Sequence, residues 1–195
     1  MEFLFSPRKH SIAVAGARNV VMKNLVIFVI ASAGIIAFSW HSLRDGRSHG
    51  FYRFFAFECI LISILLNRNL WFRDPFSVAQ IISWALLCAS LGLAAHGFYL
   101  LIAIGRPKGY FENTTAVVML GAYKYIRHPL YASLILLAWG SFFKDVSLQG
   151  VMLTAVASAF LFATARVEES ENLHKFGEEY ASYMTKTKMF IPFLF

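Results

Sequence analysis

The sequence predicts an all-α protein: a polytopic integral-membrane helical bundle of about five transmembrane helices with a C-terminal amphipathic cytosolic helix. Two observations lead to this fold class. Of the 195 residues, 58% are hydrophobic and only 15% are charged, whereas about a quarter of the residues of soluble domains are charged. The apolar residues also form long runs, for which a soluble domain of this size has no sufficient interior.

Five apolar runs are candidate spans, and they make residues 1–195 a single membrane domain. They cover residues 25–40, 51–66, 78–104, 130–143 and 146–165. The first run follows a basic stretch and contains Ala31, Ser32 and Ala33, a pattern similar to a signal-peptide cleavage site. Because the run continues to Trp40, we interpret it as a retained helix and not as a cleaved signal.

The fourth and fifth runs are joined only by Lys144 and Asp145. So short a link predicts an antiparallel helical hairpin. The segment before the hairpin, residues 105–129, and the tail after it, residues 166–195, should then emerge on the same side of the membrane. More basic residues lie on that side than on the other, so the positive-inside rule places it in the cytosol.

The net charge of +7 does not indicate a nucleic-acid partner in this chain. The basic residues lie between apolar runs, where they anchor helices at the membrane surface and contact phospholipids. Cys59 and Cys88 have no partner at C-x-x-C spacing, and no histidine has zinc-like spacing to another ligand. We therefore expect a lipid bilayer as partner, no disulfide and no metal site.

The tail begins as a helix that continues out of the fifth span. One face recurs at helical spacing and consists of Glu169, Leu173, Phe176, Tyr180, Tyr183 and Met184. We expect this face to close over the site, whereas Glu168 lies with Lys175 and Glu179 on a face that should see more water or headgroup. An amphipathic helix of this kind can fold back over the membrane surface. A carboxylate on its apolar face needs a partner, and the candidates are Arg127, Arg166, His128 and the ammonium of a bound ligand.

The stretch before the hairpin, from Gly121 to Tyr131, reads G-A-Y-K-Y-I-R-H-P-L-Y. A structural interpretation accounts for its residues singly: His128 can cap the next helix, Pro129 suits the first turn, and Arg127 can extend to lipid phosphates. However, ionisable groups gathered at a membrane boundary are candidates for function. The hairpin places this stretch beside three charged tail residues, which are Arg166, Glu168 and Glu169.

Taken in order, these residues resemble the isoprenylcysteine carboxyl methyltransferase and phospholipid methyltransferase superfamily of integral membrane methyltransferases. The pattern is G-x-Y-x-x-x-R-H-P-x-Y over residues 121–131, a helical hairpin, E-E at 168–169, L-x-x-F-G-x-x-Y-x-x-Y over 173–183, and Pro192. The resemblance covers about the last half of the chain. Residues 25–104 supply three spans according to their apolar runs and contain no motif of this kind. The resemblance implies that residues 105–195 supply a cofactor-binding loop, the hairpin and a tail, and that the cofactor is S-adenosylmethionine.

The resemblance also implies the site residues. The cofactor-binding set is Gly121, Tyr123, Arg127, His128, Pro129, Tyr131, Glu168 and Glu169, and the catalytic set is His128, Arg127 and Glu169. A guanidinium can fork onto the cofactor's carboxylate, and a glutamate can bind its ammonium or ribose hydroxyls. Tyrosine faces can stack on adenine and attract the sulfonium. The imidazole can hydrogen-bond the cofactor or accept a proton from the substrate.

The expected reaction is methyl transfer to an apolar or lipid-tethered acceptor that arrives laterally between helices. We expect it at the cytosolic face of a bacterial or archaeal cell membrane. The reacting group stays open at this point, since a carboxylate, an amine and a thiol are all compatible with the pattern. Glu58 and His96 either line the lateral route or, as we favour, form hydrogen bonds between helices.

Two other classes of protein remain open on the sequence. Membrane sterol and steroid reductases, which use NADPH, share the R-H-P pattern, often as R-H-P-N-Y. Leu130 stands in place of that asparagine here, which favours methyl transfer. A non-enzymatic transporter or scaffold would not need charged groups on both sides of one tight hairpin.

Overall fold

The computed structural model describes residues 7–107 and 114–193, and the described residues form six α-helices. They are α1 (Pro7–Leu43), α2 (His49–Asn67), α3 (Val78–Ala103), α4 (Pro129–Phe142), α5 (Leu148–Phe176) and α6 (Glu178–Lys186). Short 3-10 turns follow α2 at Arg68–Leu70 and precede α4 at Gly121–Lys124. The prediction of an all-α protein is confirmed.

Four helical stretches of the described chain are long and apolar enough to cross a bilayer, namely Val20–Leu43, His49–Leu70, Val78–Ala103 and Leu148–Phe176. They correspond to the first, second, third and fifth predicted spans. The fourth is different, because α4 has 14 residues and rises only about 21 Å at 1.5 Å per residue. That is shorter than the roughly 30 Å hydrocarbon layer. The protein is a multi-pass helical bundle in which α4 is a short apolar helix.

Two helices extend well beyond the apolar runs that predict them. The helix α1 begins at Pro7 instead of residue 25, and α5 continues to Phe176 instead of ending at residue 165. An apolar run marks the part of a helix that meets lipid, whereas backbone hydrogen bonding continues through its charged ends. Ser147 begins α5 because its side chain accepts a hydrogen bond from the Gly150 N–H at 3.2 Å, as an N-cap residue does.

The polar segments of the chain gather at two opposite ends of the bundle. At one end, His49 at the start of α2 bonds Glu171 near the end of α5, through its backbone N–H (3.1 Å) and its ring Nδ1 (2.5 Å). Residues 121–131 lie at this end, which we call the motif end. At the far end, Lys144 Nζ donates to Gln80 Oε1 at 2.9 Å. The segment before α4 and the end of α5 therefore share one end, as the hairpin predicts.

The helix α4 packs against α2, α3 and α5. The helix α3 packs along α4, α2 packs along α5, and α1 packs against α2. Hydroxyls join α3 to α4, since Ser83 Oγ donates to the Gly140 carbonyl and Ser90 Oγ to the Ser133 carbonyl, both at 2.7 Å. Such bonds are typical of helix pairs in membranes. In the described part of the chain, α2 and α3 barely touch each other.

The tail consists of two helices and not the single helix that the sequence predicts. The helix α5 ends at Phe176, and Gly177, with φ of 57° and ψ of −129°, turns the chain into α6. A residue with positive φ interrupts helical hydrogen bonding, and glycine adopts this conformation readily. Tyr180 and Tyr183 of α6 are buried, whereas Leu173, predicted on the same face, is 37% exposed.

The segment that follows α6 lies against the motif as a strap, which we define as residues 187–190. The Lys188 N–H donates to the Tyr125 carbonyl at 3.1 Å, and the Arg127 N–H donates to the Lys188 carbonyl at 2.8 Å. Met189 of the strap is buried and belongs to the hydrophobic core. The strap therefore joins the C-terminal part of the chain to the residues that precede α4.

Candidate active site

A cavity of about 280 Å³ lies at the motif end, with walls from α2, α3, α4, α5, α6 and the segment 114–118. Its polar lining residues are Arg53, Thr114, Tyr123, Arg127, His128, Tyr131, Ser133, Glu168, Asn172, Tyr180 and Tyr183. Its apolar lining residues include Phe57, Ala94, Phe98, Leu130, Leu134 and Phe176. A cavity with apolar walls and a few convergent polar groups is typical of a small-molecule site.

Arg127 lines this cavity while two of its nitrogens bind neighbouring segments. Its Nε donates to Glu169 Oε1 at 2.6 Å, and its Nη1 donates to the carbonyls of Thr187 (2.6 Å) and Met184 (3.3 Å). The side chain is only 10% exposed, so it does not extend to lipid phosphates. These charge-assisted bonds connect α5, the end of α6 and the strap around the cavity.

Glu169 is 3% exposed and has the partners that the sequence predicts for it. Besides its bond from Arg127, its Oε1 lies 3.4 Å from His128 Nε2, and its Oε2 lies 3.9 Å from Arg166 Nη1. The expectation that this carboxylate is paired is confirmed. Glu169 is outside the described lining of the cavity, and it contacts Arg127 and His128, which are part of that lining.

Glu168, the adjacent carboxylate, lines the cavity and accepts a hydrogen bond from the Tyr131 hydroxyl. The prediction that Glu169 and not Glu168 lies on the face that closes over the site is therefore wrong, although Glu168 is the more exposed of the two, as predicted. On α5, Glu168 and Asn172 line the cavity, and so does Phe176, which the spacing assigned to the face of Glu169. Successive helix residues point about 100° apart, and the packing of α5 on α2 and α4 decides which row faces inward.

His128 is 4% exposed and occupies the N-cap position of α4, but its side chain forms no capping hydrogen bond and lines the cavity instead. The ring stacks on Tyr131, with centroids 5.5 Å apart and planes at 19°, and lies 6.1 Å from the Phe190 ring. Pro129 occupies the first position of α4, where its missing N–H leaves no helical bond unmade. Pro129 thus begins the helix immediately after the histidine.

Gly121 opens the motif with φ of 57°, a conformation that residues with a β-carbon rarely adopt. A β-carbon here would also lie 2.4 Å from His96 Nε2 on α3. Two residues further on, Tyr123 lines the cavity, and its carbonyl accepts a 2.6 Å bond from the Tyr183 hydroxyl. Gly121 therefore contributes the turn that brings Tyr123 to the cavity.

Three residues, Tyr123, Tyr180 and Tyr183, form a set that we call the cavity tyrosines. Burial, followed by the negative charge of Glu168, raises the pKa of Tyr123 and Tyr180 well above the usual value of about 10. Burial, followed by the interaction with Tyr180, raises the pKa of Tyr183. The cavity tyrosines therefore remain neutral near pH 7 and offer O–H donors and aromatic faces to a ligand.

Arg53 and Asn172 also line the cavity, although no motif in the sequence assigns them to it. Arg53 lies on α2, where its guanidinium is over the rings of Phe38 (5.1 Å) and Phe57 (5.7 Å). A charged residue within an apolar run is a signal of function, but the run does not show which helix the charge faces. Asn172 lies one helical turn after Glu168. It can be assigned to the site only when the register of α5, which turns Glu168 toward the cavity, is known.

Glu58 and His96 are not among the described lining residues of the cavity. Glu58 accepts a 2.7 Å hydrogen bond from Ser32 Oγ, which joins α1 to α2. Its favoured interpretation as a hydrogen-bond partner between helices is confirmed. His96 is exposed on α3 and lies against Gly121.

The described residues contain no group of three or more histidine, cysteine, aspartate or glutamate side chains that could hold a metal ion. Cys59 and Cys88 are free thiols. The groups that face a ligand in this cavity are therefore guanidinium, carboxylate, imidazole, amide, hydroxyl and aromatic groups.

Comparison with known proteins finds a family whose profile matches the part of the chain that contains most of the cavity lining. The profile of the phospholipid methyltransferase family matches residues 78–179, which is more than half of the chain. A methanethiol S-methyltransferase of Crocosphaera subtropica is 25% identical over 145 residues, or 72% of this chain and 55% of that protein. Methanethiol S-methyltransferase 1 of Bradyrhizobium diazoefficiens is 33% identical over 70 residues, or 36% of this chain and 24% of that protein.

A third relative, the methanethiol S-methyltransferase of a Pseudomonas species, is 27% identical over 70 residues, or 36% of this chain and 26% of that protein. The chain thus spans about a quarter to about half of the length of these curated relatives. The family profile extends from the start of α3 to the start of α6 and includes the motif, the hairpin and both glutamates. The chain therefore belongs to the phospholipid methyltransferase family of integral membrane methyltransferases.

Proposed function

We propose that the protein is an S-adenosylmethionine-dependent methyltransferase that binds its cofactor at the motif end and methylates an apolar acceptor. The observation that carries this proposal is one cavity that combines groups suited to the cofactor with an apolar wall. Membership of a methyltransferase family favours this activity over a reductase, a transporter or a scaffold.

The polar lining offers a suitable group for each part of the cofactor. The Arg127 guanidinium suits its carboxylate, and Glu168, with Asn172 one turn away, suits its ammonium or ribose hydroxyls. The neutral faces of the cavity tyrosines suit the adenine ring and the sulfonium. When bound, the cofactor supplies a methyl group on a positively charged sulfur.

We assign the catalytic residues by what each contacts. His128 is the proton acceptor for a thiol or amine substrate, since its buried ring lines the cavity and Glu169 lies 3.4 Å from its Nε2. Arg127 and Glu169 maintain the geometry, because their ion pair holds α5, α6 and the strap around the cavity. Alignment of the reactants and exclusion of water contribute most of the rate acceleration.

The acceptor reaches the cavity from the bilayer between α2 and α3. The apolar lining residues Phe57, Ala94 and Leu134 lie further from the motif end than the polar ones, given the directions of their helices. In the described residues, α2 and α3 barely touch, so lipid can reach this side of α4. An acceptor with an apolar portion can place that portion here while its reacting group lies among the polar residues.

The names of related proteins suggest two classes of acceptor for this site. The family profile is that of phospholipid methyltransferases, and the curated relatives are named for methanethiol. A lipid amine and a small thiol are therefore both candidates for this chain. A carboxylate acceptor is also compatible with the lining, since such a group reacts without a proton acceptor.

We propose in addition that the motif end faces the cytosol, within the cell membrane of a bacterium or an archaeon. Basic residues are more frequent in the segments at this end than at the far end, and the positive-inside rule places such segments in the cytosol. S-adenosylmethionine is synthesised in the cytosol, so this orientation gives the cavity access to its cofactor.

Isothermal titration of the detergent-purified chain tests the proposed function. We expect S-adenosylmethionine to bind and NADPH not to bind. We also expect radiolabelled methyl groups from the cofactor to appear in product when phospholipid and thiol acceptors are supplied. Glu168→Gln should weaken cofactor binding by about tenfold or more, because a hydrogen bond to a charged group contributes roughly 1.5–3 kcal/mol.

Glu179→Gln is the matched control, since Glu179 is exposed on α6 and the same charge is removed. It should leave cofactor affinity unchanged. Binding of NADPH in place of S-adenosylmethionine, or equal cofactor affinities of the two variants, would contradict the proposal.

A further inference from the structure

We propose that Arg53 selects an anionic acceptor, so that the group methylated is a thiolate or a carboxylate and not an amine. The inference rests on the proposed function and deepens it, because it names the chemical class of the substrate. Arg53 lies on α2, which precedes the segment that the family profile matches. Family membership therefore does not account for this residue, and its place in the cavity has to be explained from the structure.

Arg53 is a cation buried inside a membrane helix at the wall of the cavity. It is 4% exposed and belongs to the lining. Its guanidinium lies over the rings of Phe38 and Phe57, at 5.1 and 5.7 Å from their centroids. A cation in such a place is unfavourable without aromatic faces or an anion to compensate it. The cavity is the space in which an anionic ligand can approach it.

A contact between α2 and α5 determines where this cation lies. His49 binds Glu171 through its backbone N–H and its ring, and Arg53 and Glu168 each lie about one turn from that contact. Arg53 interacts with the Tyr131 hydroxyl, which donates to Glu168. Arg53, Tyr131 and Glu168 thus form a row across the cavity, with the cation at the α2 side.

The balance of charge in this cavity favours an anionic acceptor. Arg53 and Arg127 are offset by Glu168 and Glu169 in the absence of ligands. The cofactor has a sulfonium and an ammonium against one carboxylate, so it adds a net positive charge. An anionic acceptor restores neutrality. An amine first has to lose its proton to react, and it then becomes an ammonium on methylation, so the positive charge stays in a medium of low dielectric constant.

The reaction then takes place between groups of opposite charge. A lone pair of the acceptor's sulfur or oxygen forms a bond to the methyl carbon as the bond from that carbon to the sulfonium breaks. The electron pair of the broken bond stays on the cofactor's sulfur, which becomes a neutral thioether. A thiol loses its proton before the transfer, to His128 or to water, and a nearby guanidinium favours the thiolate. A carboxylate has no proton to lose.

The full chain, purified in detergent, is tested with octanethiol, octanoate and octylamine, which share an alkyl chain and differ in the reacting group. We expect methylation of the thiol or the carboxylate, distinguished as a methyl thioether or a methyl ester. Octylamine should react at least about a hundredfold more slowly. Its ammonium form enters a site that already has a positive charge, and juxtaposed like charges are unfavourable by several kcal/mol.

Arg53→Gln should lower kcat/KM for the accepted anion about tenfold or more, while its Kd for S-adenosylmethionine stays within about threefold of wild type. Arg53→Lys, which keeps the charge, should recover part of the loss. If the acceptor is the thiol, Arg53→Gln should also move the pH profile of kcat/KM to higher pH, since less thiolate forms. Arg47→Gln removes the same charge from an exposed position before α2 and should have no effect.

Preferred methylation of octylamine by the wild type would overturn the inference without contradicting the proposed function. Uniform loss of activity on all acceptors in both Arg53 variants, together with weaker cofactor binding, would show that Arg53 only supports the fold. If Arg53→Gln does not fold, the wild-type preference and Arg53→Lys decide. Failure of the wild type to bind S-adenosylmethionine would instead contradict the proposed function.

Discussion

At the scale of single residues, two adjacent carboxylates have different surroundings and should have different effects. Glu168 lines the cavity and accepts a bond from Tyr131. Glu169 is paired with the buried Arg127 and lies 3.4 Å from His128 Nε2. We infer that Glu168 acts on ligand binding, and that Glu169 acts on the position and stability of Arg127.

Glu169→Gln and Glu168→Gln should therefore differ in stability. Removing the charge of Glu169 leaves a buried guanidinium without its counter-ion, a change that typically lowers the free energy of unfolding by about 3–5 kcal/mol. Glu168→Gln should have a smaller effect on stability, because Glu168 bonds the neutral Tyr131 hydroxyl, and the charge of Arg53 is also compensated by the rings of Phe38 and Phe57. Thermal unfolding in detergent, followed by tryptophan fluorescence, measures both. A lower Tm for Glu168→Gln than for Glu169→Gln would contradict this assignment.

At the scale of elements, the turn at Gly177 determines how the tail covers the cavity. Without this turn, α5 would continue past Phe176 as one long helix. The turn instead ends α5 and begins α6, and Tyr180 and Tyr183 of α6 are part of the cavity lining. The strap then continues to the motif, where Arg127 binds the Thr187 carbonyl at 2.6 Å. All the contacts that α6 and the strap make with the site therefore follow, along the chain, from the backbone conformation of Gly177.

Gly177→Ala should weaken cofactor binding and lower the Tm. Among the described atoms, nothing lies within 4 Å of the added β-carbon, so the effect comes from the backbone at φ of 57° and amounts to about 1–3 kcal/mol. Gly34→Ala is the control, because Gly34 lies within α1 with similarly open space and alanine favours the helix by up to about 1 kcal/mol. Equal effects of the two variants on Tm would exclude the backbone explanation.

At the scale of the whole molecule, more of the basic residues lie at the end of the bundle that contains the cavity than at the far end. Residues accessible at each end allow the orientation to be measured. Asp74, between α2 and α3, is exposed at the far end, and Lys186 is exposed at the end of α6. The positive-inside rule predicts that the first faces away from the cytosol and the second faces it.

Labelling with a membrane-impermeant maleimide should show this orientation in intact cells. In a background without Cys59 and Cys88, Asp74→Cys should react directly. Lys186→Cys should react only after the membrane is permeabilised, because the cavity end faces the cytosol. The opposite pattern would contradict both the orientation and access to a cytosolic cofactor.

The fold class and the two segments of the site could be predicted from the sequence, because both depend on local properties. The lengths of apolar runs are local, and so is the link between the last two runs, which brings residues 121–131 beside the end of α5. The break of the tail at Gly177 was not predictable from helical spacing, since Glu169, Phe176 and Tyr180 fit one continuous helix. That spacing does not reveal a positive φ.

The sequence by itself thus determined a helical membrane bundle, the hairpin, the family resemblance and the pairing of Glu169. Only the tertiary structure decided which carboxylate faces the cavity and which distant helix completes it. Adjacent helix positions point about 100° apart, so Glu168 and Glu169 exchange surroundings according to how α5 packs on α2 and α4. Arg53 reaches the site for the same physical reason: its position depends on packing between helices that are remote along the chain, and no local pattern specifies such a contact.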